Sequence, residues 1–384
     1  TTACYNIAFG YSAADAITSG NFNIAIGKTA ASAITDGGDN IAIGQDAMLS
    51  SVSSGINIAI GRGAFKTSAT TNYYNIAIGD CAMGVGNGNG SSNIGIGRCA
   101  AQNITSGACN VIIGSFAADA VTTGLSNVAI GKDAYGAATT GCANIAIGET
   151  AMGGAVVSDG TGSQGRHNIA IGSNAMDALT TGCNNVGVGC EALGAVNTGA
   201  DNIAIGRNTG EAITDGGRNV AIGTNTLSAT TASCYNIAIG SDTMQNGVTT
   251  GDANIAIGAN AGCLLTSGAC NVAIGTNALR TANTGCDNIA IGRDAGNAIT
   301  SATCVINIGY NVDNTVSNTT CIGGTCVMAT QFTATSDCRS KKDIKDLPYG
   351  LDFINLLRPV SYKWKPQEDK LDKEGNLIHK GEQN

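Results

Sequence analysis

The sequence predicts an all-β fold, a rod of parallel β-solenoid or β-roll coils, and three observations support this prediction. One short phrase, Asn-Ile-Ala-Ile-Gly or a close variant, occurs seventeen times between Asn6 and Gly292. The copies recur at a nearly constant short interval, such as that from Asn6 to Asn23, and self-similarity of this kind is typical of solenoids and fibres. Each copy combines β-branched residues with Gly, Thr, Asn and Asp, which is the composition of strands and turns rather than of helices.

Each unit predicts a strand, a glycine corner, a second short apolar stretch and a turn, in that order. In the first unit these elements are Ile7–Phe9, Gly10, the stretch that begins at Ala13, and residues 16–20. Side chains alternate along a strand, so the first and third strand residues point to one side and the central alanine to the other. The glycine is expected to adopt a corner conformation that a Cβ atom would forbid.

Both faces of this predicted strand are apolar, so both are expected to be buried. A coil as short as one repeat unit encloses only one of them, which we expect to be the isoleucine face, and leaves the alanine face outside. We therefore expect the second face to meet other chains, most simply around a threefold axis in a homotrimer. At about 4.8 Å per coil, seventeen coils make a rod on the order of 80 Å long. A monomeric solenoid is the alternative.

The asparagine of the phrase is expected to stack into a ladder of hydrogen bonds along the rod, as identical residues do in cross-β stacks. A row of ligand-binding side chains is the alternative role. The residues of this predicted structural ladder are Asn6, Asn23, Asn40, Asn57, Asn75, Asn93, Asn110, Asn127, Asn144, Asn168, Asn185, Asn202, Asn219, Asn236, Asn254, Asn271 and Asn288.

One unit is longer than all the others, because the interval from Asn144 to Asn168 exceeds every other interval of the ladder. The additional residues fall in a Gly/Ser-rich segment, 157–167, which is expected to bulge from the rod. Loops on rigid scaffolds often carry recognition, although an idle surface loop is the simpler interpretation. This unit, and three others that slightly exceed the usual length, also mark the register of the array.

The composition excludes several functions. Only 12% of the 384 residues are charged, the net charge is −8, and no basic stripe is present, so nucleic-acid binding is not expected. No run of 18 apolar residues exists, so membrane insertion is not expected either. No cofactor motif was found, and a hexapeptide-repeat enzyme is disfavoured because the period is not six. An ice-binding face is disfavoured because threonines occur at turns and irregularly.

The fifteen cysteines do not predict a metal site, because no closely spaced Cys pair accompanies the two histidines, His167 and His379. Many cysteines stand one or two residues before the ladder asparagine, where they are interpreted as small buried hydrophobic residues at a turn or an interchain seam. Cys81 and Cys99 share one position on neighbouring units, within reach of a disulfide, although parallel side-chain directions argue against the bond.

The repeat array ends before the C-terminus. We divide the chain into the array at 1–309, an atypical terminal repeat with a linker at 310–335, and a different segment at 336–384. The last segment contains the only tryptophan, Trp364, and all three prolines lie within it. Its apolar spacing predicts a short α/β unit.

The start of this segment resembles a known family. Ser336-Asp337-x-Arg339-x-Lys341 is followed by Gly350-Leu351 and by Leu356-Leu357-Arg358-Pro359-Val360-x-Tyr362-x-Trp364-Lys365. These residues resemble the beginning of the C-terminal intramolecular chaperone of phage tail fibres and tailspikes, of the endosialidase type. The array is similar to the Asn-x-Ala-Ile-Gly repeats found ahead of that domain and, more loosely, to the trimeric β-roll heads of bacterial adhesins.

The resemblance implies a homotrimeric fibre whose tail assists folding and then removes itself. It also implies that Ser336 is the nucleophile and Lys341 its base, with cleavage of the Ser336–Asp337 bond. The partners expected on this basis are the chain itself, a host or environmental surface receptor that includes glycans as candidates, and other fibre or virion components.

Two function classes follow from these observations. The first is a structural viral tail fibre that attaches to a host surface and is located on the virion. The second is a microbial cell-surface adhesin or extracellular matrix fibre built on the same rod.

Overall fold

The computed structural model describes residues 2–67, 72–85, 90–157, 164–246 and 250–323, together with two short strands at 370–371 and 377–379. The chain separates into two compact units, Thr1–Thr330 and Gln331–Asn384. The described residues of the first unit contain strands and turns and no α-helix. No helix in the described part of the chain has the length and apolar character needed to cross a membrane.

Nineteen three-residue strands form the single sheet of the first unit. In chain order they are β1 (Ile7–Phe9), β2 (Ile24–Ile26), β3 (Ile41–Ile43), β4 (Ile58–Ile60), β5 (Ile76–Ile78), β6 (Ile94–Ile96), β7 (Val111–Ile113), β8 (Val128–Ile130), β9 (Ile145–Ile147), β10 (Ile169–Ile171), β11 (Val186–Val188), β12 (Ile203–Ile205), β13 (Val220–Ile222), β14 (Ile237–Ile239), β15 (Ile255–Ile257), β16 (Val272–Ile274), β17 (Ile289–Ile291), β18 (Ile306–Ile308) and β19 (Thr320–Ile322).

Every strand pairs in parallel with the strands before and after it in sequence, and equivalent residues face each other. Ala42 lies opposite Ala59, for example. The register also continues across the longest unit, where Ile145 lies opposite Ile169. The first unit is therefore a parallel β-solenoid of about 18 turns. This confirms the predicted fold class.

Hydrogen bonds between coils continue well beyond the three residues of each strand. On the coil of Asn202, the N–H of Ile203 donates to the carbonyl of Asn219 on the next coil at 2.8 Å. Gly206 donates back to Val188 at 2.8 Å, and Gly210 donates forward to Thr226 at 2.8 Å. The backbone of a coil is thus bonded to its neighbours around much of its circumference, which satisfies polar groups that the narrow coil would otherwise bury.

Each strand ends at the glycine of the phrase because the chain turns there in a conformation that is open only to glycine. Gly97 has a φ of 134°. A Cβ atom at this position would lie 2.4 Å from the carbonyl oxygen of Gly114 on the next coil. The corner therefore requires glycine both for its backbone angle and for the close stacking of coils.

The core inside the coils is built from alanines and from two further positions of each unit. The central strand alanines, such as Ala42 and Ala59, are fully buried. The two further positions are three residues apart, and in many coils a large side chain at one accompanies a small one at the other. Met48 accompanies Ser51, and all these side chains are buried. The pairing keeps the enclosed volume of each coil filled at close to native packing density.

The opposite arrangement of the same pair also occurs. In one coil the first position is the small Ala31 and the second is the large Ile34. In another the first position is the large Tyr135 and the second is the small Ala138. Many coils thus combine one large and one small side chain, although Met176 and Leu179 are both large and both buried in theirs.

In the second unit, β20 (Lys370–Leu371) and β21 (Leu377–His379) pair in antiparallel orientation. Apart from these two strands, the segment for which a short α/β unit is predicted lies outside the described residues. The same is true of residues 158–163 in the Gly/Ser-rich loop.

Candidate functional site: an exposed isoleucine face

The outer side of the sheet carries two isoleucine or valine side chains in nearly every coil. Exposure alternates along the coil of Asn202: Ile203 is 39% exposed and Ile205 is 41% exposed, whereas Ala204 between them is 1% exposed. This alternation is what a strand produces when only one of its faces is enclosed. We call the first and third residues of strands β1 to β19 the isoleucine face.

The sequence predicts that both strand faces are shielded from water, with isoleucine inside the coil and alanine against sister subunits, and the structure shows that this assignment of the two faces is wrong. The coil encloses the alanine face, and a single chain leaves the isoleucine face half-buried or exposed along its whole length. Soluble proteins rarely present a continuous apolar surface of this extent without a partner. Covering the exposed third of one isoleucine contributes about 0.5–1 kcal/mol to the free energy of association, since burying a whole isoleucine side chain contributes about 1.5–3 kcal/mol.

A shallow groove of about 330 Å³ runs along one part of this face. Its walls are almost entirely apolar, and they include Ile41, Ile58 and Ile76 from three successive strands together with Ile56 and Tyr74. A groove with such walls can accept apolar side chains from another surface.

Two rows of residues border the isoleucine face, and the sequence interpretation did not identify them. The leading rim consists of the residue immediately before each ladder asparagine, and the trailing rim consists of the residue immediately after each corner glycine. On the coil of Asn202 these are Asp201 and Arg207, and both are exposed. The alternation between exposed and enclosed residues continues beyond both ends of the strand. The two rims could therefore have been identified from the sequence.

Residues of one rim contact each other between coils. On the trailing rim, the guanidinium of Arg62 donates to both carboxylate oxygens of Asp80 at 2.9 Å, which lowers the pKa of that carboxyl. On the leading rim, Tyr5 stacks on Phe22 with 5.1 Å between ring centroids. The rims are therefore ordered rows of stacked side chains.

The ladder asparagines from Asn23 to Asn288 are buried inside the coil wall, whereas Asn6 is half-buried, and Asn110 is an example of a fully hydrogen-bonded amide. The Oδ1 atom of Asn110 accepts from the backbone N–H and the Nδ2 of Asn127, at 2.9 and 3.1 Å. Its Nδ2 donates to Asn93 Oδ1 at 3.0 Å and to the carbonyl of Gly124 at 2.9 Å. Every donor and acceptor of the side chain is thus used within the protein, and none is left for a ligand.

The ladder changes partners at Asn144. Its Nδ2 donates to the hydroxyl of Tyr135 at 2.8 Å and to the carbonyl of Gly165 at 2.8 Å. Tyr135 is buried, and this burial raises the pKa of its hydroxyl above the usual value. The repeat pattern does not predict this contact, because a tyrosine at that position of the unit occurs in one coil alone.

The cysteines before the ladder asparagine are not buried at a turn within one chain, and their burial at an interchain seam stays a prediction. Cys4, Cys109 and Cys270 are exposed, and Cys183 is half-buried. Their position at the leading rim or one residue before it places them on the outside of the coil. Cys81 and Cys99 are free thiols, and burial raises the pKa of Cys99.

The described residues contain no group of three or more His, Cys, Asp or Glu side chains arranged to hold a metal ion. A concave corner near Asp177, Glu191 and Glu211 is acidic. Of these, Asp177 has a raised pKa, chiefly because the carboxyl is partly desolvated.

The predicted self-cleavage residues, Ser336, Asp337 and Lys341, lie outside the described residues.

Comparison with known protein families gives one match, at the C-terminus. Residues 336–381 match the family described as chaperone of endosialidase. No curated protein and no solved structure matches the chain. The chain thus joins a parallel β-solenoid to a C-terminal segment that is similar to the chaperone of endosialidase, and in this combination it resembles tail-fibre and tailspike proteins.

Proposed function

We propose that the chain forms the shaft of a homotrimeric fibre, a viral tail fibre or receptor-binding fibre that attaches the particle to a host surface. The isoleucine face is the observation that carries this proposal. In a trimer the three faces turn towards a common axis, and the alanine face stays inside each coil. Both apolar faces of the strand are then removed from water.

Several further features support the fibre over an enzyme or a soluble binding protein. The coils use their polar core atoms for internal hydrogen bonds, as the fully bonded amide of Asn110 illustrates. The match at residues 336–381 favours a virion over a cell surface, because the chaperone of endosialidase resembles the tail segment of phage fibres. The surface receptor, with glycans as candidates, and the other virion components belong to this proposal.

We also propose that the C-terminal segment aligns three chains before their coils assemble into the shaft. The segment is then released by cleavage between Ser336 and Asp337. The hydroxyl of Ser336 attacks the carbonyl carbon of the Ser336–Asp337 bond, and Lys341 in its neutral form accepts the proton of that hydroxyl and passes it to the departing amine of Asp337. Water then hydrolyses the resulting ester. A lysine can act as such a base when desolvation lowers its pKa.

The trimer can be tested by placing one charge on the isoleucine face. Ile205→Asp leaves the isolated coil nearly unchanged, because the side chain points outwards, but it buries three unpaired carboxylates at a subunit interface. Arg280→Asp is the control, since Arg280 is exposed and lies outside the isoleucine face and both rims. By light scattering, the wild type and the control should contain three chains per particle, and Ile205→Asp should contain one.

A monomeric wild type contradicts the proposal, and so does an Ile205→Asp variant that remains trimeric.

A further inference from the structure

We propose that neighbouring subunits are held in register by ion pairs between opposite rims of the isoleucine face. Asp201 of one subunit pairs with Arg207 of the next, and Asp287 pairs with Arg293 of the next. This inference rests on the proposed trimer and adds to it a rule for how the subunits align.

The symmetry of a closed ring brings opposite rims together. Around a threefold axis each subunit uses one edge of its interface towards one neighbour and the other edge towards the second neighbour. A pure rotation introduces no shift along the axis, so equivalent coils of the three subunits lie at one height. The leading rim of one chain therefore meets the trailing rim of the next on the same coil.

The charges on the rims are complementary coil by coil. The coil of Asn202 carries Asp201 on its leading rim and Arg207 on its trailing rim, and the coil of Asn288 carries Asp287 and Arg293 at the same two positions. No coil carries charges of the same sign on both rims. An in-register trimer therefore forms two kinds of ion pair, each repeated three times, without a like-charge contact on any coil.

These charges do not pair with each other within one chain. Asp201 and Arg207 lie on opposite sides of strand β12, and the corner at Gly206 comes between that strand and Arg207. In the described part of the chain neither Arg207 nor Asp287 has an ion-pair partner. Asp201 forms an ion pair with Arg218 at 3.7 Å, and Arg293 forms one with Asp294 at 3.8 Å. The guanidinium of Arg293 also lies over the ring of Tyr310 at 4.4 Å. All four proposed partners are exposed in the single chain.

A slip of one coil loses this complementarity. Whether the neighbouring subunit slips up or down by one coil, Asp201 and Asp287 then face neutral residues of its trailing rim. In one of the two directions Arg218 faces Arg207. The slip gains a single new pair, between Asp39 and either Lys28 or Arg62, and breaks two. The isoleucine face itself is nearly identical from coil to coil and so cannot select a register. Charges at its edges can, because unlike and like contacts differ in free energy.

The test uses the full chain and reverses the charges singly and together. Asp287→Arg alone and Arg293→Asp alone should each raise the dissociation constant of the trimer at least tenfold, because each creates three like-charge contacts. The combined variant, Asp287→Arg with Arg293→Asp, restores opposite charges and should return the constant to within threefold of the wild type. Arg280→Asp, which lies outside the rims, should leave the constant unchanged. Analytical ultracentrifugation at low salt measures all four.

A second measurement reports the contact directly. Carbodiimide treatment of the trimeric Arg293→Lys variant should join position 293 to Asp287 of a neighbouring subunit, and mass spectrometry of the digest identifies the joined peptides.

The outcomes separate this inference from the proposal on which it rests. The rim pairing is overturned if the loss of association free energy in the combined variant equals the sum of the losses in the two single variants. That result would not contradict the trimer itself. Cross-links from position 293 to the leading rim of a different coil also overturn the rim pairing. A monomeric wild type removes the trimer and the pairing together.

Discussion

One asparagine per coil bonds two backbone groups of the next coil and the side chain of the previous ladder asparagine. Asn110 receives the N–H of the next ladder asparagine and donates to the previous ladder asparagine and to Gly124. Asparagine suits this position because its short amide has both donors and acceptors in one plane. Aspartate lacks the donors, and leucine lacks both.

Asn110→Ala should lower the free energy of unfolding by about 2–4 kcal/mol, because it leaves a buried N–H of Asn127 and a buried carbonyl of Gly124 without partners. Asn103→Ala is the control, since Asn103 is exposed, its φ is not positive, and its side chain makes one hydrogen bond, of 2.8 Å to the carbonyl of Asp119. The control should cost less than about 0.5 kcal/mol. Urea unfolding followed by circular dichroism measures both, and equal losses would contradict the structural role of the ladder.

Tyr135 adds a pH dependence that the rest of the ladder lacks. Burial raises the pKa of its hydroxyl above the unfolded value of about 10, so the folded state holds the neutral form. The stability that this provides is present below about pH 10 and is lost as the pH rises above that value.

Tyr135→Phe should cost about 1–3 kcal/mol at pH 7, because one donor of the Asn144 amide loses its acceptor. The difference in melting temperature between the wild type and the variant should narrow between pH 7 and pH 11. An unchanged difference would show that the hydroxyl does not titrate with unfolding.

At the scale of the element, the coil is closed by its glycine corner and filled by side chains of complementary volume. The corner sets the direction of the chain after each strand. In many coils the two core positions then combine a large and a small side chain on the same backbone. The glycine corner and the core side chains together explain why strands of three residues stack in register, although most strands in globular proteins are longer.

Gly97→Ala should destabilise the solenoid by about 2–4 kcal/mol, because its φ of 134° is strained for any residue with a Cβ atom and that atom would contact backbone. Gly194→Ala provides the matched control. Its Cβ atom would meet Glu191 oxygen at 3.5 Å, an ordinary contact, and its φ is not positive. The control should be neutral or stabilising by about 0.4–1 kcal/mol. Comparable losses in the two variants, measured by thermal unfolding, would contradict this explanation of the corner.

At the scale of the whole molecule, a shaft of nearly identical coils carries a risk of misassembly. A slip of one coil keeps most contacts within the isoleucine face, so alignment has to come from other features. The rims and the longer units supply such features along the shaft. A C-terminal segment similar to a chaperone would supply another at its end.

Self-cleavage belongs to the same scale. Mass spectrometry of the expressed complete gene product should detect a fragment that ends at Ser336, and Ser336→Ala and Lys341→Met should abolish it, because they remove the nucleophile and its base. Ser340→Ala and Lys342→Met change the nearest residues of the same types and should leave cleavage intact. Uncut wild type, or cleavage that survives in Ser336→Ala, would remove the proposed roles of these residues.

The sequence by itself determined the period, the strand positions, the glycine corner and the parallel stacking, because each of these follows from a pattern within one unit. Only the tertiary structure decided that alanine faces inwards and isoleucine outwards, since both faces are apolar and the choice depends on the small volume that one short coil encloses. The exposed cysteines and the bond between Tyr135 and Asn144 likewise required the closed coil, because they depend on which residues neighbouring turns bring together.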